Sequence, residues 1–117
     1  MTGKEKEEKF YVTYQRRVNL VRQPNVVSKH GAIVWRPDFL DTTTNIYYEV
    51  IGSRQTFYQH KSSGHFDYML RHNLLLMLAI YIKPVCNKDG IISKEGFTIV
   101  PYSEELKLTT KLLERRD

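Results

Sequence analysis

The stretch GKEKEEKFYVTYQRR, residues 3–17, has no helix breaker after Gly3, and Glu7, Phe10, Tyr11, Tyr14 and Val18 recur at i, i+3, i+4, i+7 and i+11. That spacing lays side chains along one face of a helix. The opposite side is Lys and Glu, with Glu5 and Lys9 at i, i+4, so an amphipathic helix resting on a core is predicted. VNLVRQP, residues 18–24, alternates and is rich in β-branched side chains, which predicts a first strand ending at Pro24, followed by a polar loop to Gly31. AIVWRPDFL, residues 32–40, reads as a strand, DTTTN as a turn and IYYEVIG as a second strand, together a β-hairpin. Pro37 has no N–H to give a ladder, so the first strand is expected to be irregular there or bonded on one side only. Residues 54–64 are mostly polar and read as a connecting segment. In HFDYMLRHNLLLM, residues 65–77, Phe66, Met69, Leu70, Asn73, Leu76 and Met77 keep helical spacing and predict a second helix. LAIYIKPV then reads as a buried strand, NKDG as a turn and GFTIVPY as a further strand. SEELKLTTKLLERR reads as a closing helix with Ser103 as N-cap and acids in its first turn. Helix, three strands, helix, two strands, helix predicts an α/β or α+β fold with a central mixed sheet, a hairpin core and helices on both faces.

At 117 residues the chain has the size of one domain, expected to span residues 1–117 with a core that needs no staples. The one cysteine, Cys86, has no partner for an internal disulfide, which excludes a secreted disulfide scaffold. The longest apolar run, residues 74–82, falls well short of the ~18 residues that cross a bilayer, and the opening residues are charged rather than signal-like. A soluble cytoplasmic protein with no membrane partner is expected. The net charge of +5 changes the picture more, because it is localised. Residues 1–36 hold Lys4, Lys6, Lys9, Arg16, Arg17, Arg22, Lys29 and Arg36 against Glu5, Glu7 and Glu8, and the signs balance in the remainder. A localised basic surface points to a polyanion, although extra lysines also serve solubility.

A hairpin centred on Thr43 and Thr44 sets Asp38 directly opposite Glu49, with Cβ atoms about 4.5–5.5 Å apart. Two carboxylates so placed repel unless a cation or a proton joins them, and they suit a hard divalent metal. Alternation puts Ile33, Trp35, Pro37 and Phe39 on one face with Ile46, Tyr48 and Val50, leaving Asp38 and Glu49 together on the other beside Arg36, Tyr47 and Ile51. The plainer reading of the spacing is that Asp38 caps a turn and Glu49 is solvated.

RPDF in one strand, with YYEVIG in the next placing Glu49 eleven residues after Asp38, resembles the core of the PD-(D/E)XK nuclease superfamily, the restriction-endonuclease-like fold. In that fold a glutamate-bearing helix precedes a hairpin carrying Pro-Asp and Glu-x-Lys, followed by a helix and a further strand. The similarity covers about residues 5–82, and EVIGSRQTF is similar to stretches in small phage and mobile-element relatives. The resemblance implies that Asp38 and Glu49 are metal ligands and catalytic, that the Val50 carbonyl is a backbone ligand, and that Glu7, or Glu8 beside it, is the first-helix acid. The sequence departs from the pattern at Ile51, which stands where the motif has its lysine. Arg54, Gln55, His60 and Lys61 are the candidates to replace it, with Lys61 preferred, Gln55 as a further catalytic candidate and Arg54 better suited to clamp a phosphate.

What the resemblance implies is a DNA endonuclease that hydrolyses phosphodiester bonds with Mg²⁺ or Mn²⁺ and uses no organic cofactor. Arg16, Arg17, Arg22, Lys29, Arg36 and Arg54 would bind the DNA backbone. A homodimer is expected, since one such domain cuts one strand and two-fold pairing matches a duplex. The alternative is a catalytically inactive nucleic-acid-binding or assembly protein of the same or another basic α+β fold. Other chemistry finds less support: the histidines and Cys86 lack zinc spacing, HKSSGH offers one five-residue gap, and no G-x-S-x-G or G-x-x-x-x-G-K occurs. The eight tyrosines suit a core rim better than base stacking.

Overall fold

The computed structural model describes residues 1–83, 85–93 and 95–108. Helix α1, Gly3–Tyr14, starts in a capping box in which the Thr2 side chain accepts the Glu5 N–H and the Glu5 carboxylate accepts the Thr2 N–H. Strands β1 (Leu20–Arg22), β2 (Val26–Val27), β3 (Ile33–Trp35), β4 (Phe39–Asp41) and β5 (Ile46–Ile51) follow. Helices α2 (Arg54–Ser62) and α3 (His65–Arg71) lead to β6 (Leu76–Ile82), β7 (Val85–Asn87), β8 (Gly90–Ser93) and β9 (Gly96–Pro101). The main sheet has the order β1-β4-β5-β6-β9, with β5 and β6 parallel and the other neighbours antiparallel. A parallel pair needs a long crossover, and α2 with α3 supplies it. The result is an α+β fold with a mixed five-stranded sheet and three helices among the described residues. None of these helices is long and apolar enough to cross a membrane.

The sheet separates two cores. On one face α1 buries Phe10 against Phe39, Val50 and Ala79, with Tyr14, Tyr48 and Phe97 around it. On the other, Ile51, Leu76, Leu78 and Ile80 meet Phe57 of α2, Phe66 and Met69 of α3, and Trp35, Tyr102 and Leu108. The hairpin register is the predicted one: Phe39 faces Tyr48, Leu40 faces Tyr47 and Asp41 faces Ile46. Its turn is held by the buried Asp41, whose carboxylate accepts the Thr43 N–H at 3.0 Å and the Thr44 hydroxyl at 2.8 Å. Asp41, not Asp38, is therefore the turn cap.

Four expectations are corrected. The predicted strand over residues 32–40 is two strands broken at Arg36-Pro37-Asp38, so Trp35 and Phe39 enter opposite cores and Ile33 is exposed. Residues 54–62, read as a polar connection, form α2, which Ser53 caps by accepting the Thr56 N–H; only Phe57 of this helix is buried, too little to show as periodicity. The second helix stops at Arg71 because Asn73 takes the left-handed conformation (φ 55°), and the leucines after it run on toward β6. Finally, residues 103–108 of the predicted closing helix form a turn and irregular chain that brings Leu108 into the second core. The rest of that predicted helix lies outside the described residues.

Candidate active site

Pro37 interrupts the strand directly before Asp38, and the two acids then take over the hydrogen bonds that a ladder would make. The Asp38 N–H donates to Glu49 Oε1 at 2.9 Å, and the Val50 N–H donates to Asp38 Oδ2 at 2.8 Å. The Gln23 N–H donates to the Asp38 carbonyl at 2.8 Å, tying this corner to the end of β1. Each carboxylate is thus locked by the backbone of the other's strand. Val50 meets Asp38 through its N–H, and its side chain packs under α1.

Glu7 comes down from α1 to within hydrogen-bonding reach of Asp38, and two carboxyl groups so placed form that bond by sharing a proton or are joined by a cation. Burial, the Asp38 charge and this bond lift Glu7 to about 7. Burial and then the charge of Glu49 lift Asp38 to about 7. Glu49, 5% exposed, is lifted to about 7 by burial and the charge of Glu7 against the hydrogen bonds it accepts. Of the two first-helix candidates, Glu7 is the one that reaches Asp38. Glu8 pairs with Arg22 at 2.8 Å, which holds its carboxyl below the usual range, while Arg22 lies 3.9 Å from the centroid of the Tyr11 ring. Glu7 and Asp38 open into a cleft of about 650 Å³ that Lys4, Arg22 and Gln23 also line.

On the far side of Glu49 stands a pair of imidazoles. His60 Nε2 of α2 lies 2.7 Å from Glu49 Oε2, and His60 Nδ1 lies 3.1 Å from His65 Nδ1 at the start of α3. Burial holds both imidazoles below the ordinary histidine value. With a Glu49 carboxylate, His60 donates from Nε2 and accepts at Nδ1 from His65; with a Glu49 carboxylic acid, both bonds reverse. Trp35 stacks on His65 at 5.1 Å and 11°, and its buried Nε1 has no partner among the described residues. Glu7, Asp38, Glu49, His60 and His65 therefore form one continuous row across the sheet end.

Among the described residues, no three His, Cys, Asp or Glu side chains stand around one point in a geometry that would hold a metal ion. The reason is visible: Glu49 Oε1 and Asp38 Oδ2 are aimed at backbone N–H groups, and Glu49 Oε2 at His60. Glu7 and Asp38, two touching carboxyls at an open cleft, nevertheless fit Mg²⁺, which takes one or two carboxylates and completes its shell with water.

The other predicted residues are scattered. Ile51 is fully buried in the second core. Lys61 lies on α2 rather than in a loop, next to His60, and its ammonium has no hydrogen bond or ion pair with another described side chain. Gln55 and Arg54 are exposed in the first turn of α2, with the Arg54 guanidinium 6.0 Å from the Tyr58 ring centroid. Arg22 ends β1 next to Gln23 and Arg36 stands two residues before Asp38, while Lys29 lies in the turn between β2 and β3. Arg16 and Arg17 line a depression with Asp41, Thr43 and Thr44, at the opposite end of β4 and β5. The His60–His65 pair and its tie to Glu49 come from the packed fold, and the five-residue gap in HKSSGH, two histidines across a helix junction, is the sequence signal that corresponds to them. Compared with known protein families, with curated proteins and with solved structures, the chain has no match in any of the three.

Proposed function

We propose that the chain is a divalent-metal-dependent DNA endonuclease of the restriction-endonuclease-like type, working as a homodimer on duplex DNA. The observation that carries this reading is the contact of three carboxyls, Glu7, Asp38 and Glu49, each raised to about 7, at the edge of a cleft. Such a row has no structural need for itself: like charges in contact destabilise a fold, and apolar or amide side chains would fill the same space. The element order supports it as well, with an acid-bearing helix, then the hairpin, then helices crossing to a parallel strand.

Glu7 and Asp38 would hold Mg²⁺ or Mn²⁺, which supplies an activated water and neutralises charge on the scissile phosphate. The chain's own residues do the rest. Lys4 and Arg22 line the cleft beside Glu5, Glu7, Glu8 and Asp38, with Arg22 paired to Glu8, so a phosphate would enter once the bound cation offsets the acids. The Val50 and Asp38 N–H groups keep the two carboxylates from rotating, so the acids are positioned before substrate arrives. His60, on the same side of the sheet as Glu49, donates to or accepts from it where the motif would supply an ammonium.

The test is cleavage of plasmid and branched DNA in Mg²⁺ or Mn²⁺ at low salt. The wild type is expected to cut, Asp38→Ala and Glu7→Ala to lose cutting, and His60→Ala to lose more than Lys61→Ala. A wild type that binds DNA in a salt-sensitive way without cutting would favour the second reading, a non-catalytic nucleic-acid-binding protein. The burial of Ile51 at the motif-lysine position is the observation on that side.

A further inference from the structure

Strands β2 and β3 form a small hairpin outside the main sheet, and its two sides differ sharply. Val26 pairs with Trp35, and both are buried in the second core. Val27 pairs with Ile33, and both stand out in solvent, 49% and 50% exposed. An isolated exposed valine is ordinary, but two branched apolar side chains facing each other across an exposed hairpin form a patch. The tip is closed by hydrogen bonds: Ser28 N–H donates to the Ala32 carbonyl at 2.8 Å, the Gly31 N–H to the Ser28 carbonyl at 2.9 Å, and the Ser28 hydroxyl accepts from the His30 and Ala32 N–H groups. Gly31 sits at φ 85°, where a side chain would be strained.

Charge and position say what this patch meets. Residues 23–37 contain Lys29, His30 and Arg36 and no acid, in a chain with 13 of them. The exposed Lys29 and His30 are at the tip, and the exposed Arg36 is at the base. That base is the acidic site: Gln23 N–H bonds to the Asp38 carbonyl at one end of the segment, and Pro37 leads into Asp38 at the other. A basic, acid-free hairpin with an apolar pair on its outer face matches a polynucleotide, whose phosphates take the cations while sugars and base edges take the apolar side chains. We infer that the β2–β3 hairpin is an arm that enters a groove of the duplex, Val27 and Ile33 against sugars and bases and Lys29 on a flanking phosphate. The inference rests on the proposed nuclease reading and assigns it the element that seats the DNA.

The test uses the full chain and a fluorescently labelled DNA duplex in EDTA, with binding followed by anisotropy across a salt series. Val27→Thr with Ile33→Thr keeps the β-branched shape that a strand prefers and removes the apolar surface. This double variant is expected to bind about five- to tenfold more weakly with an unchanged salt slope. Lys29→Ala is expected to lower the slope by about one. Val12→Thr, which alters an equally exposed valine on α1, is expected to bind like wild type. Wild-type binding and cleavage that the hairpin variants leave untouched would overturn the arm and leave the nuclease reading standing. A double variant that instead loses self-association in sedimentation, with DNA binding intact, would overturn it in favour of a protein interface. A wild type that neither binds nor cuts DNA would remove both.

Discussion

His60 on the first crossover helix places its Nε2 2.7 Å from Oε2 of Glu49, a carboxyl buried on the central strand β5. Ile51, two residues beyond Glu49 on the same side of β5, is sealed in the core, so the polar partner of Glu49 arrives from the helix instead of from the strand. Partners that hold the outer groups of a metal site in place commonly change activity or metal affinity by about 10- to 100-fold when removed. His60→Ala is accordingly expected to lower cleavage by a factor in that range, and His60→Gln, which keeps an N–H donor, to recover part of it. Equal losses in both variants, read from single-turnover rates across Mn²⁺ concentrations, would remove His60 from the site.

Asp38 offers a way to separate folding from function. Asp38→Ala leaves the Val50 N–H without its acceptor, a loss of about 1–3 kcal/mol. Asp38→Asn keeps an oxygen for that bond and removes a charge that Glu7 and Glu49 oppose, so its urea midpoint is expected at or above wild type. Both variants should lose cleavage. Cleavage retained by Asp38→Asn would contradict the proposed role.

The three carboxyls also set a pH dependence. Their ordinary values are 3.8 for Asp and 4.5 for Glu, and the fold raises each to about 7, so the folded chain binds more protons than the unfolded one between those limits. Their contribution to stability is therefore fully present below the ordinary values and is lost as pH rises through about 7. The melting temperature without metal should fall from about pH 4.5 to about pH 7 and level off above it, with a shallower fall in Glu7→Gln. Mn²⁺ or Mg²⁺ replaces the protons, so its stabilising effect should be larger at the upper end of that range. A metal response that is flat with pH would exclude these acids as its ligands.

Restoring the motif lysine at its usual position should fail. Ile51→Lys would bury an ammonium against Leu78, Phe57 and Phe66, where desolvation disfavours the charge by several kcal/mol. Loss of cooperative melting without any gain in cleavage is the expected outcome. A stable and more active variant would show that the Ile51 site opens to the carboxylates.

Much of this protein was legible in the chain itself. The Thr-rich turn centred the β4–β5 hairpin, and with period-two alternation it put Asp38 opposite Glu49, because register follows from turn position and a slip would expose the apolar face. Helix α1 was legible from its periodicity, and Pro37 from its missing N–H. Helix α2 was not, since one buried phenylalanine in nine residues leaves no apolar stripe, and neither was the end of α3, which a left-handed Asn73 decides. The local elements and the pairing of the two acids depend on neighbours a few residues apart, and so could be read along the chain. That Glu7 joins Asp38 from another layer, that His60 and His65 stand behind Glu49, and that Val27 and Ile33 are left in water emerges from the packed fold alone. Those contacts depend on how helices and strands dock across the sheet, and docking is set by the packing of whole faces rather than by any spacing along the chain.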